Sequence, residues 1–319
     1  MGTIADKLNK LQNTKKAIKQ AIIDKGVEVT DNDTFESYAD KISSIQSGGG
    51  NEGNHWILPN GTAFGYSTWE TLPEEINNAD ISQLTTMEGM FYQCTNLTSL
   101  DLSGFDTSNV TNMRYMFSQC WYLNSITFGD KFNTSNVNDM NSMFDSCESI
   151  TSLDLSGFDT SNVTDMGYMF QYCYSLPYLD ISNFDTSKVS TYTYIFNNCS
   201  SLKKIDGYIS LKSITNNITQ YTICGSSTNT SINKITFKDL GSSNSVTLIQ
   251  LNYISKWGVN SDEVPDARQS LIDSLITYSF DRKSAGYPSC RIQLNASFTK
   301  PLLTSDEIAA ITAKGYTIV

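Results

Sequence analysis

Between positions 79 and 206 the apolar residues recur in a fixed order. Met87, Met90, Phe91 and Cys94 fall at i, i+3, i+4 and i+7, the spacing of one face of a short helical turn. Leu100 and Leu102 then alternate with polar residues, as in a strand with one buried face. Phe105 and Val110 bring the chain back through a bend rich in Ser, Thr, Asn and Asp, and the order starts again. Cys94, Cys120, Cys147, Cys173 and Cys199 are separated by 26, 27, 26 and 26 residues. Each closes one phrase: MEGMFYQC, MRYMFSQC, MNSMFDSC, MGYMFQYC and a drifted YTYIFNNC. FDTSNVTNM, FNTSNVNDM, FDTSNVTDM and FDTSKVSTY precede the last four copies, and LTSLDLSGF, LNSITFGDKF, ITSLDLSGF and LPYLDISNF follow the first four cysteines. The extra residue in LNSITFGDKF accounts for the 27. One copy cannot bury both faces of so small a core, whereas stacked copies share an apolar column. The pattern predicts five coils over 79–206, beginning weakly at Ala79 and extending roughly 20–25 Å at a strand spacing of ~4.8 Å.

The ends follow other patterns. Ile4, Leu8, Leu11, Lys15, Ile18 and Ile22 run in a 4-3-4-3-4 spacing, a heptad seam broken by one lysine. A plain amphipathic helix over 3–25 accounts for them equally well. Gly26 stops that helix. Asp33 and Glu36 form a capping box for a second one, whose apolar face carries Phe35, Tyr38, Ala39, Ile42 and Ile45. A hairpin of 1–46 is too small to be robust alone, so Ile4, Leu8, Leu11, Ile18 and Ile22 are candidate assembly residues and a homo-oligomer is expected. Residues 47–54 read as a Gly-rich tether and 55–78 as an N-terminal cap. Residues 207–319 read as degenerate coils and a C-terminal cap. There INKITFKDL (232–240) echoes the repeat, a helix is expected over 266–279 and a strand near RIQLNASF. LLTSDEIAAITAKGYTIV reads as a strand end, a helix and a final strand. A cap is needed because an open coil exposes core and strand edges.

Charge and chemistry narrow the function. A net charge of -11 and a pI near 4.6 repel phosphate backbones, so nucleic acid is not an expected partner. No apolar run reaches the ~20 residues that span a bilayer, and the start has no continuous apolar h-region. Seven cysteines without a CxxC, five of them on an apolar face, read as small buried hydrophobes rather than a metal or disulfide set. Cys224 continues that column in a degenerate coil, and Cys290 lies outside it. Asp106, Asp159 and Asp185, with Asn133 in the odd coil, read as Asx turns rather than a calcium ladder. His55 is the only histidine, and GxSxG, Walker A, HExxH and GxGxxG motifs are absent. Neither a cofactor nor a metal is expected, and the reading is non-enzymatic. A pair of carboxylates cleaving polysaccharide would leave no sequence signature.

The variation between coils is more informative. Aligned on the cysteine, Tyr115, Tyr168 and Tyr194 share one non-core place. Trp121, Tyr122, Tyr172, Tyr174 and Tyr178 fall at neighbouring variable places. The first and third coils hold Gly89, Ser142, Thr95 and Glu148 there instead. Large amphipathic rings that the core does not require are candidates for binding a glycan or a protein; packing against a cap is the alternative. One exposed patch would favour recognition, and scattering over several faces would remove the idea.

The phrases MxxMFxxC, LxxLDLSxF and FDTSNVT resemble the BspA-like leucine-rich repeats of bacterial surface proteins and mycoplasma lipoproteins, over roughly 79–206. That resemblance implies an α+β repeat, a leucine-rich-repeat-like solenoid used for adhesion, here with an N-terminal helical hairpin and terminal caps. No signal peptide or lipobox cysteine is read near the start. The phrase NTKKAIKQAIIDKGVEVTDNDTFESYADKI is similar to short N-terminal modules of tailed-phage virion proteins, and LLTSDEIAAITAKGYTIV to the closing segment of phage-borne and gut-bacterial repeat proteins. Together these imply a phage virion protein, tail- or fibre-associated. Its hairpin would meet other virion proteins, and its repeats would bind a host surface glycan or protein without inserting into a membrane. A bacterial cell-surface adhesin, a polysaccharide depolymerase and a structural virion decoration are the alternatives.

Overall fold

The computed structural model describes residues 56–57, 63–64, 70–72, 76, 79–219, 223, 232–251, 257–259, 261–262, 264, 266–294 and 299–319. The expected hairpin 1–46, its seam Ile4, Leu8, Leu11, Ile18 and Ile22, the tether 47–54 and Cys224 lie outside the described residues. Of the expected cap 55–78, the described part includes β1 (Trp56–Ile57) paired antiparallel with β2 (Ala63–Phe64).

The MxxMFxxC phrases are not helical. Each is a run of successive turns in which alternate amides do different jobs. Within the first copy, Met90, Tyr92 and Cys94 donate to the carbonyls of Met87, Gly89 and Phe91, three residues back. The intervening amides of Met87, Gly89, Phe91 and Gln93 donate instead to Asn112, Arg114, Met116 and Ser118 in the next copy, at 2.8–2.9 Å. The same four bonds recur from the second copy to the third and onward to the fifth, whose Phe196 donates to Ile223. A ladder of single parallel bridges, Thr86–Asn112–Asp139–Asp165–Thr191, marks the register. An α-helix would use all these amides internally and leave none for the neighbouring copy.

The turn run needs left-handed backbone at two places per copy. These are Gly89, Tyr115, Ser142, Tyr168 and Tyr194, and, four residues on, Gln93, Gln119, Ser146, Tyr172 and Asn198, all with φ between 56° and 62°. Only glycine adopts that region without steric cost.

Strands form small separate sheets. β3 (Ser99–Leu102) pairs parallel with β4 (Ser125–Phe128), and β5 (Tyr178–Ile181) with β6 (Lys204–Gly207). Leu100 and Leu102 point inward as the alternation requires. The third copy, 152–155, has no strand; it follows the loop that carries the one-residue insertion, and strand pairing is interrupted there while the bridge ladder continues. The expected α+β leucine-rich-repeat-like solenoid with a helical hairpin is therefore not seen. Among the described residues there are small parallel sheets, and the two described α-helices both lie near the C-terminus.

The inward residues fill one continuous core. Phe91, Phe117, Phe144, Phe170 and Phe196 stack with centroids 5.7, 5.3, 5.7 and 5.9 Å apart and planes within 17°. Beside them, the thiols of Cys120, Cys147, Cys173 and Cys199 donate to the carbonyls of Phe91, Phe117, Phe144 and Phe170 at 2.9–3.2 Å. All five repeat cysteines are buried and in no disulfide. Burial holds the thiols of Cys120, Cys147 and Cys173 above their ordinary pKa, so they are inert apolar groups.

The FDTSNVT bend is held by its polar side chains. Asp106, Asn133, Asp159 and Asp185 accept from the amides two residues on, at 2.9–3.1 Å. They form the expected Asx turns. The Thr107 hydroxyl donates to Asn133 O at 2.8 Å and accepts from Asn133 N at 2.7 Å. Asn109, Asn136 and Asn162 reach back to Ser82, Ser108 and Ser135. The threonine and asparagine of the phrase thus join one copy, hereafter a tier, to the next.

Beyond the fifth tier, β7 (Ile209–Ser210) pairs parallel with β8 (Phe237–Lys238). Strands β9 (Leu248–Gln250), β10 (Cys290–Gln293) and β11 (Tyr316–Ile318) form a parallel sheet in the order β11-β10-β9. The helix expected over 266–279 is α1 (Ala267–Ile272) continuing into a π-helical segment, Asp273–Thr277. The strand end expected before the last helix is instead a 3-10 turn, Lys300–Leu302. Helix α2 (Ser305–Ala313) starts on a capping box between Thr304 and Glu307. Leu271, Leu275, Ile292 and Tyr316 join the same core as the phenylalanine stack, so this part closes the repeat's interior.

Candidate ligand-binding surface

The outward residues of the turn runs carry three of the candidate tyrosines. Tyr115, Tyr168 and Tyr194 occupy the left-handed position of tiers two, four and five and are half-buried. Tyr168 stacks on Tyr194, centroids 5.3 Å apart. Tyr115 lies 6.3 Å from Tyr92. The Arg114 guanidinium sits 4.7 Å over the Tyr115 ring, donates to its hydroxyl at 2.8 Å and pairs with Asp139 at 3.7 Å. These rings lean on neighbouring tiers, and Ser142, between Tyr115 and Tyr168, is buried.

Where the turn run passes into the strand, the rings stand free of the core. Trp121 is 43% exposed, Tyr122 58% and Tyr174 38%. Trp121 and Tyr174 follow the cysteines of tiers two and four, and the equivalent residue of tier three is Glu148. Glu148 and Ser149 are half-buried between them, and the Ser149 amide donates to Trp121 O at 3.1 Å. Tyr172 meets Tyr174 at 5.8 Å. Burial first, then the Glu148 carboxylate and Tyr172, raise the Tyr174 phenol above its ordinary pKa.

Tyr178 lies apart, on β5, 42% exposed. Its hydroxyl donates to Asp206 at 2.9 Å and Lys204 Nζ sits 5.3 Å from its ring centre. Asp206 also pairs with Lys204 at 2.9 Å and Lys234 at 2.7 Å, and Lys234 pairs in turn with Asp266. Pro177, Tyr178, Lys203, Lys204 and Val264 line an open hollow of about 360 Å³ beside it.

The eight candidate residues therefore do not form the one patch expected of them: they fall into turn-face tyrosines, a corner of Trp121, Tyr122, Tyr172 and Tyr174, and Tyr178 on the strand face, and only the corner brings several exposed rings together. Tyr172 sits in the turn run and touches Tyr174, so it joins the first group to the second. Sequence reasoning left out Tyr92, Arg114, Lys204 and Asp206, which hold rings in place. Tyr92, Lys204 and Asp206 come from an adjacent tier, and Arg114 directly precedes the Tyr115 it holds.

For chemistry, one carboxylate is unusual. Burial pushes Asp145 up to about 6, against which the hydroxyls of Ser146 and Ser118 act by donating to it. Among the described residues no group of three or more His, Cys, Asp or Glu is placed to hold a metal ion. No helix of the described residues is long and apolar enough to cross a membrane.

A family model described as "Mycoplasma protein of unknown function, DUF285" matches the chain twice, over 62–152 and 124–234, together more than half its length. The matches cover the repeats and agree with their resemblance to mycoplasma-type repeats. No curated protein matches the chain.

Proposed function

We propose that this chain, which belongs to the DUF285 family of mycoplasma proteins of unknown function, is a non-catalytic recognition protein that attaches its carrier to a host cell surface through the corner of tiers two to four. One observation carries this reading. Trp121 and Tyr174 remain exposed at a place where tiers one, three and five hold Thr95, Glu148 and Ser200, and Tyr122 at the next place, where the other tiers hold Asn96, Ser149, Ser175 and Ser201, so packing does not require the rings. Large rings held on a rigid scaffold give contact area at low entropic cost, the character of binding hot spots. The carrier we propose is a phage virion, on the likeness of the N-terminal phrase to tailed-phage modules. Residues 1–46 would dock onto other virion proteins as a homo-oligomer, with Ile4, Leu8, Leu11, Ile18 and Ile22 at that contact.

The test is adsorption of the labelled full chain to a panel of bacterial cells. Cells that bind it should lose at least tenfold in bound chain when Trp121, Tyr122 and Tyr174 are all alanine, with circular dichroism unchanged. Undiminished adsorption of the triple variant refutes the reading. Antibody labelling of this chain in electron micrographs of particles tests the carrier separately.

A further inference from the structure

The corner has a shape and charge that name a ligand class. Trp121, Glu148 and Tyr174 are the same register position of three consecutive tiers, so their Cα–Cβ bonds project side by side. Two tier spacings of ~4.8 Å put the outer two roughly 10 Å apart. The place between them is polar. Glu148, half-buried, presents a carboxylate, and Ser149 beside it presents a hydroxyl. The cation of the neighbouring turn face, Arg114, is engaged by Tyr115 and Asp139. The chain as a whole carries -11. An anionic ligand would meet repulsion at this place, whereas C–H faces against rings and paired hydroxyls toward a carboxylate match an uncharged sugar.

We infer that the ligand at this corner is a neutral hexose chain. Its sugar rings lie with their C–H faces on Trp121 and Tyr174, Tyr122 flanks them, and their hydroxyls donate to the Glu148 carboxylate. This rests on the recognition role proposed above and assigns its substrate class.

The experiment uses the full chain with hexameric oligosaccharides: neutral glucans, galactans and mannans on one side, oligogalacturonate and oligosialic acid on the other. Binding is read by calorimetry and by tryptophan emission. At least one neutral chain should bind, and Trp121→Ala and Tyr174→Ala should each weaken it at least tenfold. Trp121→Phe, which keeps a ring, should hold affinity within about threefold yet abolish the emission change. Glu148→Gln should weaken binding by roughly three- to tenfold. Preference for the acidic chains, or neutral binding that survives Trp121→Ala with Tyr174→Ala, overturns the inference. If no oligosaccharide binds while cells still adsorb the wild type and not the triple variant, the sugar assignment fails alone and a protein ligand replaces it. If the triple variant adsorbs like the wild type, the recognition role falls as well.

Discussion

Phe144 lies at the middle of the ring stack, so removing it tests how the tiers are joined. Its ring is fully buried, 5.3 Å from Phe117 on one side and 5.7 Å from Phe170 on the other. Truncating a buried phenylalanine to alanine costs about 3–5 kcal/mol, and each ring pair adds roughly 0.5–1.5 kcal/mol beyond area. Because a tier touches only its neighbours, one substitution weakens two junctions, and we expect a loss near 4–5 kcal/mol. That is a large share of the ~5–15 kcal/mol that holds an ordinary domain together. Phe144→Leu keeps most of the volume and loses the stacking, so it should cost about 1–2 kcal/mol. Tyr122→Ala, 58% exposed, should stay within about 0.5 kcal/mol. Urea unfolding followed by far-ultraviolet circular dichroism and by tryptophan emission, to which Trp257, buried in the C-terminal part, contributes, gives all three. Coincidence of the two probes licenses the conversion to free energy. A loss below about 1 kcal/mol for Phe144→Ala, or one matching Tyr122→Ala, would refute the reasoning.

Other substitutions probe other links. Ser142 has φ 57°, so Ser142→Val should cost about 1–3 kcal/mol through a β-branched residue in left-handed backbone; a neutral effect in the same urea assay contradicts the turn run. Asp145 titrates near 6 in the folded chain against 3.8 unfolded. The folded state therefore keeps a proton that the unfolded state has lost, and stability falls as pH rises from about 4 to about 6. With solvent reaching part of the carboxyl, we expect about 1–2 kcal/mol from this group. Asp145→Asn should remove that slope, and a slope unchanged by it would assign the pH dependence elsewhere. The repeat thiols should resist iodoacetamide in the folded chain and react on unfolding, as mass spectrometry of the peptides would report; fast native labelling of Cys147 would place it in water.

The interior was legible because identical residues recur at identical spacing. Met87, Met90, Phe91, Cys94, Leu100, Leu102, Phe105 and Val110 are all buried, as their pattern requires. The backbone that presents them was not. An i, i+3, i+4, i+7 set is inward on a helix and equally inward on a run of turns that alternates internal and cross-tier hydrogen bonds. The cue lay in Gly89 and Asn198, residue types that tolerate positive φ, at places where other tiers hold tyrosine, serine or glutamine. A one-residue insertion that looked incidental in LNSITFGDKF coincides with the break in the sheet. The Asx turns could be foreseen because their hydrogen bonds are local. The surroundings of the candidate surface could not. Tyr178 meets Lys204 and Asp206 one tier away, and Asp206 reaches Lys234 in a segment where the period has blurred.

The central claim is that the copies lie one upon another in register. Spin labels on cysteines introduced at Asn96 and Ser201, the same register position of tiers one and five, test it in solution, since the native repeat thiols are buried and will not take label. Four tier spacings predict a narrow distance near 19 Å between backbones. A broad distribution centred beyond ~30 Å, the dimension of an unstacked segment of that length, would contradict it.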